Sequence, residues 1–287
     1  MRYVVAVAEE RSFTRAAERC HVVQSALSHQ IKALERELGV ALFARTSRRV
    51  EVTAAGEAFL PAARASLDAA ERAVSVAAAA SGQIRGTLTI GLIPTVTAID
   101  IPAALAQFRR AHPAVQIRLR GGGSDEFIAA IAEGTMDVAV LGLPGELSRA
   151  GVSSRVLARE RLVAVVSRDH HLAGRQSLSL EDLAEETFVD FSEGTPGRTQ
   201  SDRAFESAGI RREVAFEAVS TDLMLGLVRN NLALALLPAA AVPGSHDLQS
   251  IEVINGPTRI EYLAWSGFNP SPATQAFLAD APGSSVG

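Results

Sequence analysis

The chain has 287 residues, 47% apolar and 21% charged, which suits more than one folding unit with ordinary cores and excludes a disordered or fibrous protein. Its one cysteine excludes an intrachain disulfide or a cysteine-rich metal site and suits a reducing cytoplasm. The net charge of −4 hides an asymmetry: residues 1–65 hold ten Lys and Arg against seven Asp and Glu, leaving eighteen against twenty-five for the rest, so a basic head on an acidic body fits DNA binding by one end.

The first apolar run, Tyr3 to Ala8, stops at Glu9-Glu10-Arg11 and is too short for a signal peptide. The longest later run, Leu232 to Val242, is too short to span a bilayer, so the protein is expected to be neither secreted nor membrane-embedded. Phe13 to Lys32 reads as two short helices around a corner at Cys20-His21-Val22. Ala16, Ala17 and Cys20 give the first a small inner face; Val23, Leu27, Ile31 and Leu34 predict one buried stripe on the second. Its other face carries Gln24, Ser25, Ser28, His29 and Lys32, short donors and acceptors plus a cation that suit base edges and phosphates in a major groove. An ordinary helical hairpin with a solvated polar face fits this segment as well. Cys20 reads as a small buried hydrophobe.

Gly39 ends the second helix, and Ala44 to Glu51 predicts a two-stranded wing whose tip carries Arg45, Arg48 and Arg49. Arginines there suit a minor groove or phosphates, although a solvated basic turn has the same composition. Thr53 then looks like the N-cap of an alanine-rich helix reaching about Ala80, bent at Pro61 and long enough to need a helical partner. From Gly86 strands and helices alternate: strands at 87–91, 115–120 and 136–141 with helices at 100–111 and 124–133. After a connection near 145–158 come strands at 162–167, 187–191, 213–217, 232–237 and 253–265, with helices near 199–208, 221–230 and 271–280. This alternation predicts two α/β units of parallel sheet with a ligand-sized cleft between them.

Together these parts resemble the LysR-type transcriptional regulators over essentially the whole chain. The resemblance rests on Arg2 to Arg19, Gln24 to Gly39, Leu42-Phe43-Ala44-Arg45 and Val52-Thr53-Ala54-Ala55-Gly56, and more loosely on Gly86 to Gly91, Glu133 to Val140 and Leu234 to Pro238. It implies an α+β multidomain fold with a winged helix-turn-helix at 1–58 and a linker and dimerisation helix at 59–85. A periplasmic-binding-protein-like α/β effector domain would span 86–287, its two subdomains covering 86–157 with 258–282, and 158–257. It also implies tetramers built from dimers on double-stranded promoter DNA, and a small-molecule effector. Carried over by position, Gln24, Ser25, Ser28 and His29 would face bases, Lys32 a phosphate, and Arg48 and Arg49 would be wing contacts. The chain departs from the pattern at Val23, where a capping Ser is usual and whose absence costs about 1 kcal/mol. It departs again at Ser25, where Pro is common, and at His29, where Arg is common. Asn230-Asn231 stands where glycine is usual, Asn tolerating the same positive φ. The chain begins about five residues late, which implies a shortened first helix or an upstream start.

In the effector half, Pro94-Thr95-Val96 and Gly121-Gly122-Gly123-Ser124 each follow a strand and are expected to set a hydroxyl at a helix N-terminus, an arrangement suited to an anionic effector. The resemblance implies ligand contacts at both. Ser124 and Thr221 also read as plain capping residues, Phe191 as either cleft wall or core, and Arg198 as an anion contact or a surface ion pair. His112, His170, His171 and His246 show neither a paired nucleophile nor a metal-ligand spacing, so no catalytic, metal or cofactor site is expected. Three other readings remain beside the regulator: a non-sensing architectural DNA-binding protein, an enzyme, and a solute-binding protein, the last disfavoured by the missing export signal.

Overall fold

The computed structural model describes residues 1–45, 50–79 and 83–281. The chain divides into two compact units, residues 1–81 with 133–135, and residues 82–132 with 136–287.

The first unit opens with α1 (Arg2–Glu10), α2 (Phe13–Arg19) and α3 (Gln24–Leu38), followed by a wing of β1 (Phe43–Arg45) and β2 (Val50–Val52) and by α4 (Ala54–Ala79). Ser12 caps α2 by accepting from Arg15 N–H. The corner turns on His21 at φ 55°, with Val22 N–H donating to Ala17 O at 3.0 Å. Val4, Val7, Ala16, Leu27, Ile31 and Leu42 form the core, with Phe13 edge-on to Phe43. Two expectations change here. Val23 is 68% exposed, because it occupies the N-cap of α3 and not its first turn; Val22 packs against the core instead. Cys20, the C-cap of α2, is half-buried at the rim of that core. Gly39 ends α3 at φ 71°, a conformation that disfavours a side chain. The Glu35 carboxylate accepts from Leu42 N–H and Phe43 N–H, tying α3 to the wing. Thr53 caps α4 as the sequence predicts, accepting from Gly56 N–H at 3.0 Å. At 26 residues α4 is about 39 Å long, and Pro61 lies within it without ending it.

The second unit is built on β3 (Gly86–Leu92), β4 (Val115–Gly121), β5 (Val138–Leu143), β6 (Val152–Ser167), β7 (Ser177–Leu178), β8 (Thr187–Asp190), β9 (Glu213–Glu217), β10 (Ala235–Pro238), β11 (Leu248–Val253) and β12 (Thr258–Ser266). Its helices are α5 (Ile101–Ala111), α6 (Ser124–Ala132), α7 (Pro196–Ser207), α8 (Thr221–Arg229) and α9 (Pro272–Asp280). The main sheet runs β4-β3-β5-β12-β6-β11-β7, with β10 also on β6, and β8 and β9 pair separately. β3 is parallel to β4 and β5, as strand–helix alternation predicts, but β12 is antiparallel to both β5 and β6, so the sheet is mixed. β6 begins ten residues before its expected start. Its first stretch pairs with β12 and its last residues with β10 and β11, so one strand serves two cores. One core gathers around Leu88, Phe108, Val140 and Phe277, the other around Val166, Phe188, Phe205 and Leu236. The single strand expected at 253–265 is two, divided by a turn with Asn255 at φ 55°. Asn231 also has positive φ, 54°, where the sequence comparison anticipated a glycine-like turn.

Candidate functional site

Two surfaces carry the chemistry. The first is the outer face of α3. Leu27 and Ile31 are buried beneath it, which turns Gln24, Ser25, His29 and Lys32 into solvent; Ser28 is half-buried. The α3 N-terminus has no side-chain cap, so free backbone N–H groups sit beside Gln24 and Ser25. Arg36, which the sequence reading passed over, lies one turn beyond Lys32 and shares a shallow groove with His29 and Lys32. Its place at i, i+4 from Lys32 on an exposed helix face was the signal available. Arg45 ends β1, and Arg48 and Arg49 lie outside the described residues.

The second is a cavity of about 460 Å³ in the second unit, within the usual range for small-molecule sites. Leu92, Ile93, Leu162, Phe191 and Leu236 supply apolar wall, and the Gly121–Gly123 backbone and the start of α7 supply polar rim. Of the expected contacts, Pro94, Thr95, Ser124 and Phe191 line it, whereas Arg198 and Thr221 do not. Arg198 is ion-paired to Asp202 at 3.0 Å and Glu217 at 3.3 Å. The Thr221 hydroxyl donates to Pro94 O at 3.2 Å, holding that loop.

Of the two hydroxyls expected at a helix N-terminus, that of Ser124 stands there and that of Thr95 does not. α5 starts at Ile101 behind an Asp100 cap, six residues after Thr95. Thr95 Oγ1 instead accepts from Arg259 Nη1 at 2.7 Å. Ser124 is the first residue of α6, and its hydroxyl bridges the Gly142 backbone, donating to O at 3.1 Å and accepting from N–H at 3.0 Å. Both are buried in internal bonds, which removes the reason for expecting two free hydroxyls around an anion.

Arg259 is a cavity residue that the sequence reading missed. It is 2% exposed and reaches Glu160 at 2.9 Å, Glu261 at 2.8 Å and Thr97 Oγ1 at 2.8 Å, besides donating to Thr95 O at 2.9 Å. Glu261 is fully buried and accepts from Thr97 N–H and Ala98 N–H. The signal was there: two opposite charges at i, i+2 in the otherwise apolar strand Thr258–Ser266 share one face, and buried charges are paired. Gln200, also unanticipated, is 6% exposed on the cavity wall.

Elsewhere, among the described residues, His170, His171 and Glu186 bring their ligand-capable atoms within 4.8 Å. The two rings stack at 4.6 Å, and Glu186 faces both. His170 Nδ1 accepts from Leu172 N–H, so the neutral ring carries its proton on Nε2, toward Glu186. The arrangement shares protons and leaves no lone pair on that nitrogen for a cation.

No helix among the described residues is long and apolar enough to cross a membrane. Residues 1–57 match the family model for the bacterial regulatory helix-turn-helix protein of the lysR family, and residues 81–281 match the LysR substrate binding domain. Among similar proteins is a probable hydrogen peroxide-inducible genes activator from Mycobacterium avium, 34% identical over 85% of this chain and 78% of its own length. Another is the regulator AlsR from Bacillus subtilis, 32% identical over 84% of this chain and 80% of its own. A cysteine variant of full-length OxyR from Pseudomonas aeruginosa superposes with a TM-score of 0.74 at 27% identity, covering 97% of this chain and 92% of the other. Full-length CbnR in complex with its target DNA gives 0.71 at 27% identity, covering 97% and 96%. The chain belongs to the LysR family: it is an oligomeric, DNA-binding transcriptional regulator modulated by a small-molecule effector.

Proposed function

We propose that the α3 face reads promoter DNA through Gln24, Ser25, Ser28 and His29, with Lys32 and Arg36 on phosphates, and that the 460 Å³ cavity is the effector site. The observation that carries the effector reading is a largely apolar cavity with a few convergent polar groups, the usual make-up of a ligand site and a poor fit to a non-sensing architectural protein. Functionally, residues 1–58 bind DNA, 59–85 pair protomers, and 86–287 sense. Val74 and Val76, 58% and 48% exposed, leave apolar side chains on two sides of α4; a second copy packs along that helix, and dimers then join as tetramers. A ligand in the cavity shifts the balance between arrangements of the sensing region, and the tetramer changes the bend of the promoter. The protein acts in the cytoplasm by binding, without catalysis.

Several relatives are named as hydrogen peroxide-inducible genes activators. A different signal is favoured here by one observation: Cys20, the one cysteine of the sequence, lies in the helix-turn-helix, so residues 82–287 offer no thiol for oxidation and the chain no second thiol for an intrachain disulfide. The test is a thermal-shift screen of small organic molecules beside hydrogen peroxide. A specific ligand raises the Tm by mass action. Peroxide-dependent change in promoter binding that persists in Cys20→Ser, with no small molecule shifting the Tm, would overturn this reading.

A further inference from the structure

Gln200 is more than nine-tenths buried, yet its carboxamide makes no hydrogen bond to any of the described residues. Its polar atoms are not sealed in the protein but open onto the cavity, where water or a ligand is their partner. Its neighbourhood is specific. A methyl group built on Gly142 would lie 3.0 Å from Ile93 Cδ1, 3.4 Å from Arg259 Nη1 and 3.8 Å from Gln200 Nε2. A side chain at Gly142 would crowd Ile93, so its absence keeps open the corner of the cavity, the Gly142 niche, where Arg259 and Gln200 converge. Arg259 Nη1 donates one of its two protons to Thr95, and a guanidinium nitrogen of this kind has a second to offer.

The charge around the niche decides what fits it. Arg259 already faces two carboxylates, Glu160 and Glu261, at 2.9 and 2.8 Å, so the cluster is formally one charge negative. An added ligand carboxylate would meet this surplus in a desolvated site, whereas a neutral oxygen would not. We infer that the effector is an uncharged, mainly apolar molecule with a neutral oxygen head, a carboxamide or ketone, seated in the Gly142 niche and read by Gln200 together with Arg259. The amide of Gln200 offers one donor edge and one acceptor edge, so a carboxamide satisfies both. The inference rests on the reading of this cavity as the effector site.

The experiment compares phenylacetamide with its isostere phenylacetate on the full-length chain, by calorimetry or ligand-observed NMR, for wild type, Gln200→Leu and Gly142→Ala. The expected result is at least tenfold tighter binding of the amide by wild type, on the order of one well-made hydrogen bond plus an avoided charge penalty. Gln200→Leu, with circular dichroism and Tm checking that it is folded, abolishes that selectivity; a purely structural role for Gln200 would lower the Tm and leave the selectivity in place. Equal binding, preference for the acid, no amide binding at millimolar concentration, or amide selectivity surviving in Gln200→Leu overturns the inference. Gly142→Ala separates the two levels. If the acid binds wild type and is lost in Gly142→Ala, the cavity is still the effector site and only the head-group assignment fails. If a probe binds Gly142→Ala as well as wild type, it binds elsewhere and both readings fail.

Discussion

Arg212 and Asp190 face each other at 2.7 Å with side chains only 4% and 3% exposed, and Arg212 also reaches Asp202. The guanidinium lies over the rings of Phe188 and Phe205, at 5.2 and 5.5 Å. Those faces account for buried Nη1, which makes no hydrogen bond to the described residues. Arg212→Ala strands a buried carboxylate beside the base of α7, and we expect a loss of about 3–5 kcal/mol in urea denaturation. His170 works the other way. Burial holds its pKa below the ordinary value; neighbouring Glu186 opposes that shift and His171 adds to it. The native state therefore prefers the neutral ring, while the unfolded chain takes up the proton more readily. The stability this gives is fully present above the unfolded pKa of about 6.5 and is lost as pH falls through the lower folded value. Thermal denaturation from pH 7.5 to 5 should show that decline, and His170→Asn should flatten part of it.

At the scale of elements, α3 is the least conventional part of the DNA-binding unit. Its N-cap is an exposed valine, so the N–H groups of its first turn have no side-chain cap. Val23→Ser supplies that cap and should stabilise the folded state by about 1 kcal/mol, read as a raised urea midpoint at unchanged slope. The same residue shows where sequence reading stops. The 4, 4, 3 spacing of Val23, Leu27, Ile31 and Leu34 looks like one stripe, but the helix begins after Val23, and periodicity does not mark where a helix begins. Caps did mark helix limits elsewhere, Thr53 the start of α4 and Gly39 the end of α3. Strand–helix alternation located most of the effector half, but missed how far β6 runs, because its early residues pair with a strand a hundred positions away. The site divided likewise. Pro94, Thr95, Ser124 and Phe191 follow from position after strands, and they do line the cavity. The bonds of Thr95 and Ser124, and the presence of Gln200, depend on long-range packing that no local pattern records, whereas Arg259 left a local trace in its pairing with Glu261 two residues on in an apolar strand.

At the scale of the molecule, the basic surplus of residues 1–65 and the acidic remainder confine attraction for DNA to one end of the chain and let the other end specialise in an apolar cavity. Both halves match the LysR family along nearly the whole length, and the account stands on α3 as the reading helix. The most direct measurement is fluorescence anisotropy of a fragment from the regulator's own upstream region, titrated at several salt concentrations with wild type and Lys32→Ala. We predict that log K for wild type falls steeply and linearly with log salt, and that Lys32→Ala binds more weakly with a slope smaller by about one. Binding by wild type and Lys32→Ala with the same affinity and the same slope would contradict the assignment of α3 to the DNA.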